Sequence, residues 1–63
     1  MNFAHATHYA ETQTMKTERY SVDKDATGYL YLVRIVGIDR IRLTGLGYDG
    51  TDTVKFRLKK YFG

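Results

Sequence analysis

The chain has no cysteine, which excludes disulfides and every thiolate metal site. It also lacks an apolar run long enough to cross a bilayer, since the longest, Tyr29 to Val33, ends at Arg34. Only two histidines are present, too few for a typical zinc site unless carboxylates join them. The N-terminus shows no basic stretch followed by an apolar one, so it does not read as a secretory leader. A cytoplasmic protein is the default expectation, and the missing cysteines fit it. Missing motifs narrow the chemistry further. There is no Gly-rich phosphate loop, and no Ser–His–Asp or Cys–His arrangement in a plausible core. Asp23, Asp25, Asp39, Asp49 and Asp52 all fall at or beside expected turns, where aspartate serves the backbone. The expectation is a non-enzymatic protein without a cofactor.

What is present bounds the fold. The 63 residues hold one domain at most, and so short a chain buries only ~60% of its unfolded surface. Small scaffolds supplement their core with disulfides, a metal or a second subunit. With the first two set aside, a homo-oligomer is expected. His5, His8 and Glu11 recur at i, i+3 and i+6, but that segment is a poor helix former and offers no fourth ligand, so no metal is expected.

The formal charge of +3 is unevenly spread: residues 1–28 sum to −1 and residues 29–63 to +4. Such asymmetry points to a polyanion-facing surface in the second half.

Periodicity divides the chain at about residue 16. Residues 1–16 alternate weakly and read as a flexible or partner-docked N-terminal arm, and residues 17–63 as a single small antiparallel β domain. Segment 18–23 is a short strand with Tyr20 and Val22 on one face. Asp25-Ala26-Thr27-Gly28 has type I turn chemistry. Segment 29–36, YLYLVRIV, is dense in aromatic and β-branched residues, and the favoured register sets Tyr20 and Val22 beside Tyr31 and Val33. Gly37-Ile38-Asp39 reads as a three-residue loop, which would place Arg34 opposite Arg42. Segments 40–46 and 53–59 both alternate about Asp49-Gly50, a hairpin signal. That hairpin would pair Leu43 with Phe56 and Arg42 with Arg57.

The fold class expected is mainly β: a three- to four-stranded antiparallel meander. The alternative is a three-stranded sheet plus a short C-terminal helix, because Val54, Leu58, Tyr61 and Phe62 also fall at helical spacing with Gly63 just beyond.

The strand reading lines up Arg34, Arg42 and Arg57 across three strands, with Arg40, Lys55 and Lys59 on the same basic face. Like charges facing each other on a sheet repel, and a polyanion would turn that repulsion into attraction. These six residues are the candidate nucleic-acid contacts. Tyr29, Tyr31, Tyr48, Tyr61 and Phe62 are candidate stacking platforms. Segment 29–36 is apolar on both faces, so Leu30, Leu32, Val36 and Leu46 form a candidate interface needing cover from the arm, a second subunit or a target. The alternative to nucleic acid is a phage-type regulatory or inhibitor protein that binds a host protein by a sheet edge or apolar face.

Gly28-Tyr29-Leu30 through Arg42-Leu43, then Leu46-Gly47-Tyr48-Asp49 and Lys60-Tyr61-Phe62-Gly63, resembles a shortened three-stranded DNA-binding domain of the AP2/integrase-arm type. The likeness covers about half the chain, through motifs of low specificity. It implies a sheet that reads the major groove with a C-terminal helix behind it, and contacts from Arg34, Arg40 and Arg42.

Overall fold

The computed structural model describes residues 1–15 and 17–63. Five elements run in order: α1 (Phe3–Thr12), β1 (Arg19–Lys24), β2 (Tyr29–Val36), β3 (Asp39–Tyr48) and α2 (Asp52–Phe62). The strands form one antiparallel meander in the order β1-β2-β3. The sheet is therefore three-stranded with a helix at each end of the chain.

The expected arm is helical instead. Asn2 caps α1, its side-chain oxygen accepting from the His5 amide at 2.8 Å. Ala6 and Ala10, one turn apart, are both fully buried, and α1 packs mainly on β1. Two small residues on one stripe let a helix of weak intrinsic preference lie close to the sheet, so tertiary packing overrides local propensity. Backbone bonds secure its start: the Met1 ammonium donates to Thr51 O at 3.0 Å, and the Gly50 amide donates to Met1 O at 3.1 Å. The Phe3 amide donates to Asp49 Oδ1 at 2.7 Å.

The β1–β2 register, and the β2–β3 register next to its turn, lie one residue from those expected. Val22 pairs with Leu32 and Tyr20 with Arg34. At the second turn only Gly37 and Ile38 are unpaired, and Gly37 takes φ +61°, so this is a two-residue hairpin of type II′ pattern. Arg42 therefore pairs with Val33, and Arg34 with Ile41. A one-residue slip exchanges the faces, placing Arg34 and Arg42 on opposite sides of the sheet. Further along, ten residues of β3 oppose eight of β2, with register shifts at Leu30/Tyr31 and Leu32/Val33. The two extra residues are Leu43 and Leu46, and both join the core.

Residues 52–62 are helix, which removes the expected Asp49-Gly50 hairpin and its Leu43–Phe56 and Arg42–Arg57 pairs. Val54 and Leu58 are buried at i, i+4, Phe62 packs on the core, and Phe56 stays 66% exposed. Asp52 in the first turn and Lys59 and Lys60 in the last suit the helix dipole. A fourth strand would have widened the sheet and left its apolar face bare; a helix covers it.

Leu30, Leu32 and Leu46 are fully buried in that core with Ala6, Ala10, Val22, Val54 and Leu58. They are not a surface for a partner, because the chain's own helices cover them. Of the four candidate interface residues only Val36 remains exposed. Phe62 ties the layers together, its ring 5.0 Å from Tyr20 and 6.3 Å from Tyr9 between centroids. Among the described residues no helix is long and apolar enough to cross a membrane.

Truncating Leu32 to Ala should lower the unfolding free energy by about 2–5 kcal/mol. Enlarging Ala10 to Leu should lower it by about 1–3 kcal/mol, because α1 has no room to move outward without losing the core. Urea denaturation followed by circular dichroism reads both; an unchanged midpoint for Ala10→Leu would mean that α1 does not pack closely on the sheet.

Candidate nucleic-acid interface

The face of the sheet away from the leucine core carries Arg19, Ser21, Asp23, Tyr29, Tyr31, Val33, Ile35, Arg40, Arg42 and Tyr48, as the two pairing registers require. Its side chains cover one another. The Arg40 Nε donates to Asp23 Oδ1 at 2.8 Å, an ion pair that pushes the arginine's pKa further up. The Arg42 guanidinium lies over the Tyr31 ring, 4.1 Å from its centroid. Tyr31 and Tyr29 are 5.1 Å apart between centroids, and Tyr48 meets Tyr29 edge-on at the same distance. Val33 is fully buried outside the main core, with Ser21 and Arg42 as its cross-strand partners.

The tyrosines are placed by the first turn. Asp25 Oδ1 accepts from the Thr27 amide at 2.9 Å, the Thr27 hydroxyl at 2.6 Å and the Tyr29 amide at 3.1 Å. Asp25 Oδ2 accepts from the Tyr31 hydroxyl at 3.3 Å. These donors, Thr27 foremost, hold the Asp25 carboxyl below its usual range. Burial, then the nearby Asp25 charge, raises the Tyr31 hydroxyl, which keeps it a donor.

Gly45 lets Tyr29 reach across β3. A Cβ at Gly45 would stand 2.8 Å from the Tyr29 hydroxyl, so the ring lies against bare backbone. Its hydroxyl then accepts from Arg57 Nη1 of α2 at 3.2 Å. The outcome is a continuous series, Arg42–Tyr31–Tyr29–Arg57, that joins the sheet face to the C-terminal helix. Beside it runs a groove of about 570 Å³ lined by Tyr29, Thr44, Gly45, Arg57, Lys60 and Tyr61. A second hollow on the outer face of α2 surrounds exposed Phe56 with Asp52, Lys55, Lys59 and Lys60. Lys60 borders both.

The structure thus divides the six candidate nucleic-acid residues. Arg42 and Arg57 come together through the tyrosines, whereas Lys55 and Lys59 lie on another flank of α2, around Phe56. Arg40 shares the sheet face but is held by Asp23. Arg34 lies on the opposite side, 4.0 Å from Glu18, so the expected row Arg34–Arg42–Arg57 does not exist. Among the described residues, the ion pairs are Lys24–Asp49, Arg34–Glu18 and Arg40–Asp23. Apart from Arg19, every described basic side chain outside those pairs lies on β3 or α2: Arg42, Lys55, Arg57, Lys59 and Lys60. Lys60 and Gly45 were not among the sequence candidates. The helical spacing of Arg57, Lys60 and Tyr61 signals the first; nothing local signals the second. His5, His8 and Glu11 are exposed on α1, and no three metal-ligating side chains converge among the described residues.

Comparison with protein-family models, with curated proteins and with solved structures finds no significant match to this chain. Its function is therefore inferred from its own residues.

The Asp25 network has a pH signature. Because folding depresses this pKa, its stabilisation is present above the unfolded carboxyl value and is lost as pH falls through the lower folded value. Asp25→Ala should therefore unfold at lower temperature than the parent near neutrality, and the gap should narrow as pH falls through the acid range. A gap of constant size across that range would show that the carboxylate charge is not what holds the turn.

Proposed function

We propose that this protein binds nucleic acid through the side formed by β3 and α2. The observation that carries the reading is the segregation of charge. Acidic side chains pair with Lys24, Arg34 and Arg40, whereas Arg42, Arg57 and Lys60 lie beside tyrosine rings and Lys55 and Lys59 beside exposed Phe56, all without carboxylate partners among the described residues. Cations so arranged repel one another, and a phosphate backbone relieves the repulsion while releasing counterions. Rings among the cations add contacts to the bases. The alternative of a regulator that binds a protein by an apolar face is less well supported, because that face is filled by α1 and α2.

Titrating labelled oligonucleotides at several salt concentrations tests the proposal. Binding should be micromolar or tighter at about 50 mM salt, with a log–log slope of about −3. Arg57→Glu and Arg42→Glu should each weaken binding at least fivefold and flatten the slope by about 0.7–0.9 per lost phosphate contact. Arg34→Gln, on the far side of the sheet, should change affinity less than twofold. Equal losses at Arg34 and Arg57, or no binding at low salt, would refute the proposal.

A further inference from the structure

Resting on the nucleic-acid reading, we infer that the groove between β3 and α2 seats one unpaired nucleotide, and so the protein prefers single strands to duplex. Arg40 and Arg42, the two arginines that β3 places on the outer face, are not available to read base edges in a major groove. Arg40 is drawn to Asp23, and the Arg42 guanidinium lies over the Tyr31 ring. Major-groove readout needs such side chains to project to base edges. A guanidinium stacked on a ring instead presents its outer face as a plane, on which an exposed base can lie.

The groove itself has the complement of groups a nucleotide needs. Its volume, about 570 Å³, falls within the ~300–1,000 Å³ of small-molecule sites. One wall is Tyr29 lying on Gly45; the other is the face of α2 that presents Arg57, Lys60 and Tyr61 at i, i+3 and i+4. The two cations suit a phosphate, the tyrosine rings suit a base, and Thr44 and the tyrosine hydroxyls can bond a sugar or base edge. A paired base, stacked within its helix, could offer this groove only its backbone. Gly45 keeps the groove open. Any side chain there collides with the Tyr29 ring and displaces the wall that Arg57 anchors.

The experiment compares one labelled 12-mer as single strand and as duplex against the parent protein, Tyr61→Ala, Tyr61→Phe and Gly45→Ala. The parent should bind the single strand at least tenfold more tightly. Tyr61→Ala should lose about tenfold on the single strand, the scale of one stacked base, and less than twofold on the duplex; Tyr61→Phe should retain affinity. Gly45→Ala should follow Tyr61→Ala, and circular dichroism on each variant confirms the fold. If Gly45→Ala unfolds, amide shifts at Gly45 and Thr44 in the parent on adding a 5′-phosphorylated dinucleotide replace that arm. Their absence counts against the seat. Equal affinity for both forms, or equal loss on both from Tyr61→Ala, overturns the inference while leaving nucleic-acid binding intact. No binding of either form at low salt overturns the underlying reading as well.

Discussion

Strand β2 is apolar on both faces, and the chain covers both with its own residues. Burial of Leu30 and Leu32 on one side and Val33 on the other is complete. The leucine side is closed by two helices, each contributing small or branched residues at helical spacing: Ala6 and Ala10 from α1, Val54 and Leu58 from α2. Hydrophobic burial at ~25 cal/mol per Å² stabilises this closure. Among the described residues no helix covers the other side, where tyrosine rings and arginine stems lie over the strand.

That second cover is both packing and surface. Long polar side chains shield apolar groups with their carbon atoms and keep their heads in water. Arg42 over Tyr31 and Tyr29 over Gly45 do so here. The layer is consequently thin, aromatic and cationic. A core made entirely of aliphatic residues on both sides would have left nothing of that chemistry exposed. The candidate binding surface thus arises from the way the sheet is covered. It is continuous with α2 because Tyr29 bridges the β3 edge to Arg57.

The turns support this arrangement from a distance. Asp25 fixes the start of β2, and with it the backbone of Tyr29 and the hydroxyl of Tyr31. Asp49-Gly50, expected to turn a hairpin, instead receives the N-terminus: Asp49 accepts from Phe3, and Gly50 donates to Met1. Gly50 does take a positive φ, +88°. Its local preference is legible in the sequence, but a turn residue says only that the chain bends, not whether a strand or a helix comes after the bend.

The sequence by itself determined the three strands, the Asp25–Gly28 turn, and the concentration of positive charge in the second half. Alternation and turn chemistry are local properties, and a segment such as 29–36 carries them in its own composition. It also marked the tyrosines and most of the cations that the candidate surface uses. Only the tertiary structure decided which side of each strand faces inward. The two bulges in β3 and the two-residue turn at Gly37-Ile38 shift the register by steps that alternation cannot count, and each step exchanges faces. Residues 53–59 alternate as a strand does, with a helical spacing as the alternative, and the choice fell to helix because the leucine face needed a lid. Ala6, Ala10 and Gly45 gave no local signal, because a small side chain matters only through the group that packs where a larger one would have been.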